Sequence, residues 1–169
     1  NAGIIENCYN TGDIIVTAAS NDLAGKVGGL FGTVTGNDDI EFSNCYNTGD
    51  ITGNYDVGGI AGHASRFNVK NCYNAGNISG CNYVGGIVGY ADEKSTVEKS
   101  KTSGKILVTS SDANTKSCVG GIVGMSEGNI TNNEMLGEIS LISGNVLTVG
   151  GISSSLPEDV QIAIYRSIK

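Results

Sequence analysis

Apolar and polar positions along the chain follow a pattern that repeats with a long period. Ile5, Phe42, Val69, Val97 and Ile130 are each followed by a polar residue, namely Glu6, Ser43, Lys70, Glu98 and Thr131. That alternation is the period-two mark of a strand with one buried face. Ile14, Ile51, Ile78, Ile106 and Ile139 follow Asp13, Asp50, Asn77, Lys105 and Glu138, which predicts a second strand with its Ile inside. A third apolar segment is Val27-Gly28-Gly29-Leu30-Phe31-Gly32, returning at Val57 to Gly62, Val84 to Gly89 and Val119 to Gly124, then as Val149-Gly150-Gly151-Ile152. Here alternation fails, because Val and Ile three apart cannot both point inward on an unbroken strand. The paired glycines predict a bend, a bulge or close approach of another backbone.

Between the first two strands stands Asn7-Cys8-Tyr9-Asn10-Thr11-Gly12-Asp13-Ile14. It returns as Asn44 to Ile51 and Asn71 to Ile78, and in weaker form as Lys99 to Ile106 and Asn132 to Ile139. The Tyr becomes Lys101 and Glu134 in the weaker copies, so Tyr9, Tyr46 and Tyr73 are expected to face out. Cys8, Cys45 and Cys72, replaced by Ser100 in the fourth copy, are expected to face in. The phase slips between Val69 and Cys72, which places a bend at the Asn before each Cys. The shortest unit is 27 residues, from Val57 to Val84, and extra length follows Ile14 and Ile106, where insertions read as loops at one edge of a stack.

Three short strands in a Gly- and Asn-punctuated unit predict one rung of an all-β fold, a parallel β-helix (β-solenoid) of about five rungs. Helices are disfavoured, since Gly costs about 1 kcal/mol per helical position relative to Ala. A single unit cannot bury its apolar face alone. Stacking like on like, at about 4.8 Å per rung, closes continuous columns of Ile, Val and Leu. Asn at a recurrent bend can then hydrogen-bond its counterpart on the next rung, an account of both Asn columns. The repeats occupy residues 1–154. In 155–169, Leu156, Val160, Ile164 and Ile168 suit a helix and Val160, Ile162 and Ile164 a strand, so this stretch reads as a C-terminal cap or the start of a following segment.

Composition narrows the class. The 169 residues include 26 Gly, one Pro, no Trp and 39% apolar residues, which excludes collagen and the disordered class. No apolar run reaches the roughly 18–20 residues of a membrane helix, so a soluble segment with no membrane span is expected. A net charge of -7, from 17 acids against 10 bases, argues against nucleic-acid or anionic-membrane partners, which need clustered positive charge. Lys94, Lys99, Lys101, Lys105 and Lys116 do fall in one stretch, but Asp92, Glu93, Glu98 and Asp112 are interleaved with them. A solvated face is the expectation there. The sequence opens at Asn1 with no basic or apolar leader, so any export signal would have been removed or lie outside it, and the chain reads as a cut from something larger.

The pairing of Asn-Cys-Tyr-Asn-Thr-Gly-Asp-Ile with Val-Gly-Gly-Ile-Val-Gly, over about residues 5–154, resembles the GLUG-motif repeats. These occur in large exported bacterial proteins, including the region preceding the catalytic part of immunoglobulin A1-specific zinc metallopeptidases. The resemblance implies a parallel β-helix in a surface or secreted multidomain protein, hence an extracellular or bacterial cell-surface location. It does not carry the protease activity. The zinc peptidase pattern H-E-x-x-H needs two histidines one helical turn apart, and the chain has only His63, followed by Ala64 and Ser65.

Candidate chemistry is sparse. With one His, any nucleophilic triad has a single available base, and His63 reads as an ordinary surface residue. Gly25 to Gly32 lacks the order of a phosphate loop, and its glycines recur, which marks them as architectural. In a stack, Asp13 and Asp50 would be neighbours at about 4.8 Å, near the carboxylate separation of retaining glycosidases. Their column continues as Asn77, Lys105 and Glu138, as a solvated turn position would. Asp38-Asp39 and Asp92-Glu93 sit in connections without calcium-loop spacing. The column Tyr9, Tyr46, Tyr73 is the best candidate binding surface, since exposed aromatics stack on sugars or anchor proteins; the competing reading is mutual support between rungs. Five cysteines in no tight framework predict mostly free thiols, with Cys81 and Cys118 outside the inward column.

These features predict a non-catalytic repeat module with no cofactor and no metal, acting as rigid spacer, adhesion or interaction surface. Its partners would be a host or cell-surface protein, a glycan, or other domains of its own chain. A carbohydrate-binding or carbohydrate-cleaving β-helix and an accessory region of a secreted zinc metallopeptidase are the alternatives.

Overall fold

A computed structural model of the chain describes residues 3–17, 25–109, 117–143 and 146–153. Every regular element among them is a strand, every strand pairing is parallel, and the strands form a β-solenoid of five stacked levels. Four sheets make the walls. Sheet I carries Ile4–Glu6, Phe31–Ser43, Ala61–Lys70, Val88–Ala91, Thr96–Glu98, Val123–Ser126 and Asn129–Thr131. Sheet II is the Tyr-Asn column: Tyr9–Asn10, Tyr46–Asn47, Tyr73–Asn74, Lys101–Thr102 and Glu134–Met135. Sheet III carries the invariant Ile, in Ile14–Ile15, Ile51–Thr52, Ile78–Gly80, Ile106–Thr109 and Ile139–Ser143. Sheet IV carries the Val of each Val-Gly-Gly, in Lys26–Gly28, Tyr55–Gly58, Tyr83–Gly85, Ser117–Gly120 and Val146–Gly150.

The repeat register is the pairing register. Ile14 pairs Ile51, Ile51 pairs Ile78 and Ile78 pairs Ile106, while Val57 pairs Val84 and Val84 pairs Val119. The bend before each Cys is present, with Asn7, Asn44, Asn71, Lys99 and Asn132 all at φ between 51° and 58°. Asn is the residue that tolerates this left-handed conformation best after Gly. Backbone conformation therefore accounts for the Asn column ahead of Cys. The expected side-chain ladder belongs to the other column. Asn10 Nδ2 donates to Asn47 Oδ1 at 2.8 Å, and Asn47 Nδ2 to Asn74 Oδ1 at 2.8 Å. Each amide also closes a turn two residues on, Asn47 Nδ2 to Gly49 O at 2.7 Å and Asn74 Nδ2 to Gly76 O at 2.8 Å.

Val-Gly-Gly-Ile is the corner whose conformation the sequence left open. The strand breaks there: the first Gly ends each sheet IV strand, and sheet I begins at Phe31, Ala61, Val88 and Val123, two residues beyond the second Gly. The fourth strand segment of each rung, beyond the three expected from the apolar pattern, is the short strand of sheet II, set off by the bend before each Cys. The second Gly makes a close approach: a Cβ on Gly59 would lie 2.3 Å from Gly86 O and 2.4 Å from Asn74 Cγ. No side chain fits between this corner and the amide ladder of sheet II.

That waist divides the interior into two cores. One holds Phe42, Phe67, Val69, Val97, Cys45, Cys72, Ile60, Ile87 and Ile122 against sheet I. Within it the rings of Phe31, Phe42 and Phe67 follow one another at 4.0 Å centroid spacing. The second core holds Ile51, Ile78, Ile106, Val57, Val84 and Val119 between sheets III and IV. The insertions after Ile14 and Ile106, and the stretch 155–169 with its cap reading, lie outside the described residues, as do Asp112 and Lys116.

Candidate functional site

Outward columns offer the chemistry, and the first is that of Tyr9, Tyr46 and Tyr73. Sheet II is so short that its Tyr must point away from the buried Asn beside it. The three are in register and exposed at 62%, 39% and 39%. Tyr9 and Tyr46 lie face to face, with centroids 5.1 Å apart and planes 6° apart. Tyr73 shares a hydrogen bond of 2.7 Å with the Ser103 hydroxyl. The facing sides of the Tyr9 and Tyr46 rings are not open to a planar ligand. In the same column Lys101 pairs with Glu134 at 2.7 Å, while Lys70 pairs with Glu98 at 3.0 Å on sheet I and Lys105 with Glu138 at 3.8 Å just ahead of sheet III.

Asp13 and Asp50 are brought to adjacent rungs, at exposed positions before the inward Ile. Their carboxylates serve the backbone. Asp13 Oδ1 accepts the Asp50 N–H at 2.9 Å, Asp50 Oδ1 accepts the Asn77 N–H at 2.8 Å, and Asn77 Oδ1 accepts the Lys105 N–H at 3.0 Å. Asp50 Oδ2 also accepts from Asn77 Nδ2 at 3.3 Å. The acidic column is a run of inter-rung staples at the start of sheet III.

Asp92 does the same in the turn between Val88–Ala91 and Thr96–Glu98, two sheet I strands of one rung. Ser65 Oγ donates to its Oδ2 at 2.7 Å, while Ser95 Oγ at 2.7 Å and the Arg66 and Lys94 N–H groups, both at 3.1 Å, donate to Oδ1. Burial opposes its ionisation, but these hydrogen bonds outweigh that and hold the carboxyl below its usual range. The side chains of Asp38 and Asp39 lie outside what the structure describes.

A further cluster appears where the Val-Gly-Gly corner folds sheet IV against sheet I, and sequence reasoning missed it. Asp56 is an extra residue in its strand, at φ 43°, where pairing slips between Lys26 and Val27. Its nearly buried carboxylate lies 2.9 Å from His63 Nδ1, and Lys26 Nζ lies 3.0 Å from the same nitrogen. The His63 ring packs on Tyr90 at 4.8 Å, and Tyr90 on Tyr83 at 5.8 Å. Burial and then a hydrogen bond with Glu127 push the Tyr90 hydroxyl up to about 12. His63 is therefore not an ordinary surface residue but half-buried and partnered. The signal was present as a spacing of seven across the corner: Lys26 and Thr33, Asp56 and His63, Tyr83 and Tyr90, Cys118 and Met125. Without the corner's geometry, nothing indicated that the two members of a pair meet.

All five cysteines are free. Cys45 and Cys72 are buried in the first core, Ser100 continues the column, and Cys8 at the first rung is partly exposed. Cys81 contacts the Thr109 carbonyl and Cys118 accepts from Thr148 Oγ1, both away from that column. Among the described residues, no group of three or more His, Cys, Asp or Glu is arranged to hold a metal ion.

No curated protein and no solved structure shows a significant match to the chain. The family model described as the GLUG motif matches twice, at residues 53–79 and 80–107. Each match begins just ahead of sheet IV, runs through the glycine corner, sheet I and sheet II, and ends in sheet III. Residues 53–107 are therefore two consecutive GLUG-motif repeats, each one full turn of a parallel β-solenoid.

Proposed function

We propose that this segment is a non-catalytic repeat module, a rigid spacer and interaction surface, in a bacterial cell-surface or secreted multidomain protein. One observation carries the reading: the outward carboxylates that chemistry would need, and the facing sides of the Tyr9 and Tyr46 rings, hold rung to rung. Asp13 and Asp50 accept backbone N–H groups, and Tyr9 and Tyr46 cover one another. Five rungs at about 4.8 Å each give a stiff rod of about 24 Å, whose exposed columns can vary without disturbing the interior. A protein or glycan partner would meet the polar and charged side chains of sheet II.

The alternative, a carbohydrate-binding or carbohydrate-cleaving β-helix, draws on the exposure of the Tyr column and the one-rung spacing of the two carboxylates. The purified chain, applied to a glycan array and a polysaccharide-cleavage screen, is expected to give no reproducible hit. Hits lost in Tyr46→Ala or Asp50→Ala, with circular dichroism unchanged, would replace the spacer reading with the carbohydrate one. Location is tested separately by antibody labelling of intact cells and culture medium, where a signal found only after lysis would remove the surface assignment.

A further inference from the structure

Cys8, Cys45 and Cys72 occupy one column on three consecutive rungs. The Tyr after each pairs in register with the next, and the ladder brackets the thiols: the Tyr46 N–H donates to Cys8 O at 3.0 Å and the Tyr73 N–H to Cys45 O at 2.9 Å. All three side chains point the same way, each Sγ reaching the carbonyl two residues before it, at 3.5 Å for Cys8, 3.3 Å for Cys45 and 3.4 Å for Cys72. Cys45 and Cys72 also lean toward the preceding rung, at 3.9 Å from Ile5 O and Phe42 O.

A disulfide takes Cα separations of about 4.4–6.8 Å and Cβ separations near 3.8 Å. Side chains one rung apart start at about 4.8 Å, so closure requires an approach of about 1 Å. The two available pairs differ in their ability to move. Cys72 is fully enclosed and tied to the rung below, its N–H donating to Ser100 Oγ at 3.1 Å. Cys8 is only partly buried, and among the described residues no side-chain oxygen of the next rung is found on its N–H as Ser100 is on that of Cys72.

We propose that Cys8 and Cys45 form an oxidation-dependent disulfide that staples the first rung onto the second. A hydroperoxide first oxidises the partly exposed Cys8 thiol to a sulfenic acid, with cleavage of the O–O bond, and the thiol proton leaves in the water or alcohol released. Cys45 Sγ then attacks the sulfenyl sulfur, the S–S bond forms, the S–O bond breaks, and water leaves with the Cys45 proton. Two thiols have lost two electrons and two protons, which the peroxide has taken up. The order of events follows from burial, which raises the Cys45 thiol and pushes Cys72 up to about 12. Both buried thiols are also shielded from an oxidant in solution, so oxidation starts at the partly exposed Cys8.

The 169-residue chain is treated with limiting hydrogen peroxide, alkylated after unfolding, digested and analysed by mass spectrometry. The expected product has lost two hydrogens, contains a Cys8–Cys45 linked peptide, and carries alkyl groups on Cys72, Cys81 and Cys118. Dithiothreitol reverses it, and amide exchange over residues 4–16 is slowed several-fold in the oxidised form. Cys8→Ser and Cys45→Ser each abolish the link while Cys72→Ser retains it; Ser100 already occupies this column, so the variants keep the fold, as circular dichroism checks. A link through any other pair, a link only between two chains, sulfinic acid at Cys8 without a link, or no reaction would each overturn the proposal.

Discussion

Asn47 sits at the narrowest point of the coil, where its amide is fully buried and has only protein to bond with. Its Nδ2 donates to Gly49 O and Asn74 Oδ1, and its Oδ1 accepts from Asn10. Truncation to Ala leaves at least two of these partners unmatched in a space that the glycine corner has closed. At roughly 1–3 kcal/mol for each unsatisfied buried group, Asn47→Ala is expected to lose about 2–6 kcal/mol of stability. Thr already stands in this column at Thr102, where its hydroxyl accepts from Asn74 Nδ2 at 3.3 Å. Asn47→Thr should therefore lose only about 1 kcal/mol, one ordinary hydrogen bond. Urea denaturation of the three proteins measures the difference, and equal midpoints would mean that the amide ladder adds nothing. The sequence made this column visible as a repeated Asn, and even suggested rung-to-rung bonding. It did not tell which of two Asn columns bonds sideways and which supplies a left-handed bend, because both repeat equally well.

Between elements, the connection from Val88–Ala91 to Thr96–Glu98 is closed by Asp92. Four donors converge on one carboxylate and join this turn to Ser65 and Arg66 in the strand of the previous rung. Its carboxyl is held below the usual range, so the sign is that of a depressed acid. The stability it contributes is fully present above the unfolded value of about 3.9 and is lost as pH falls through the lower folded value. Asp92→Asn is expected to be less stable than the parent at neutral pH and to lose part of the parent's steep decline below about pH 4. Unfolding midpoints measured across that range decide it: a parent and variant that decline in parallel would remove Asp92 from the acid dependence. Sequence reasoning placed Asp92 in a connection with no calcium-loop spacing. It could not anticipate the convergence, since Ser65 and Asp92 are 27 residues apart.

For the whole molecule, contacts run almost entirely from one rung to the next, so length should be adjustable by whole units. Residues 53–79 constitute one matched repeat. Removing them joins Thr52 to Gly80, and because Thr52 pairs in register with Ser79, the new junction reproduces the old one. The shortened chain is expected to keep a strand-dominated far-ultraviolet spectrum and cooperative melting, with a rod shorter by about 4.8 Å in solution scattering. Removing half a unit shifts every column below the cut and should unfold the protein. Survival of the half-unit deletion with native-like melting would show that register is not what holds the stack together.

The repeat, read from the chain alone, determined the solenoid, its parallel stacking, the inward Ile, Val and Cys columns, and the outward Tyr and acidic ones. All of these follow from the recurrence of one pattern, because identical short units bury their apolar faces only by stacking in register. Tertiary structure decided what happens at the glycine corner. There the backbone turns so closely that the interior is split into two cores, and Asp56 meets His63 across a separation of seven residues. Alternation carries no information where side chains are missing, and contact across a turn depends on an angle that the order of residues does not state.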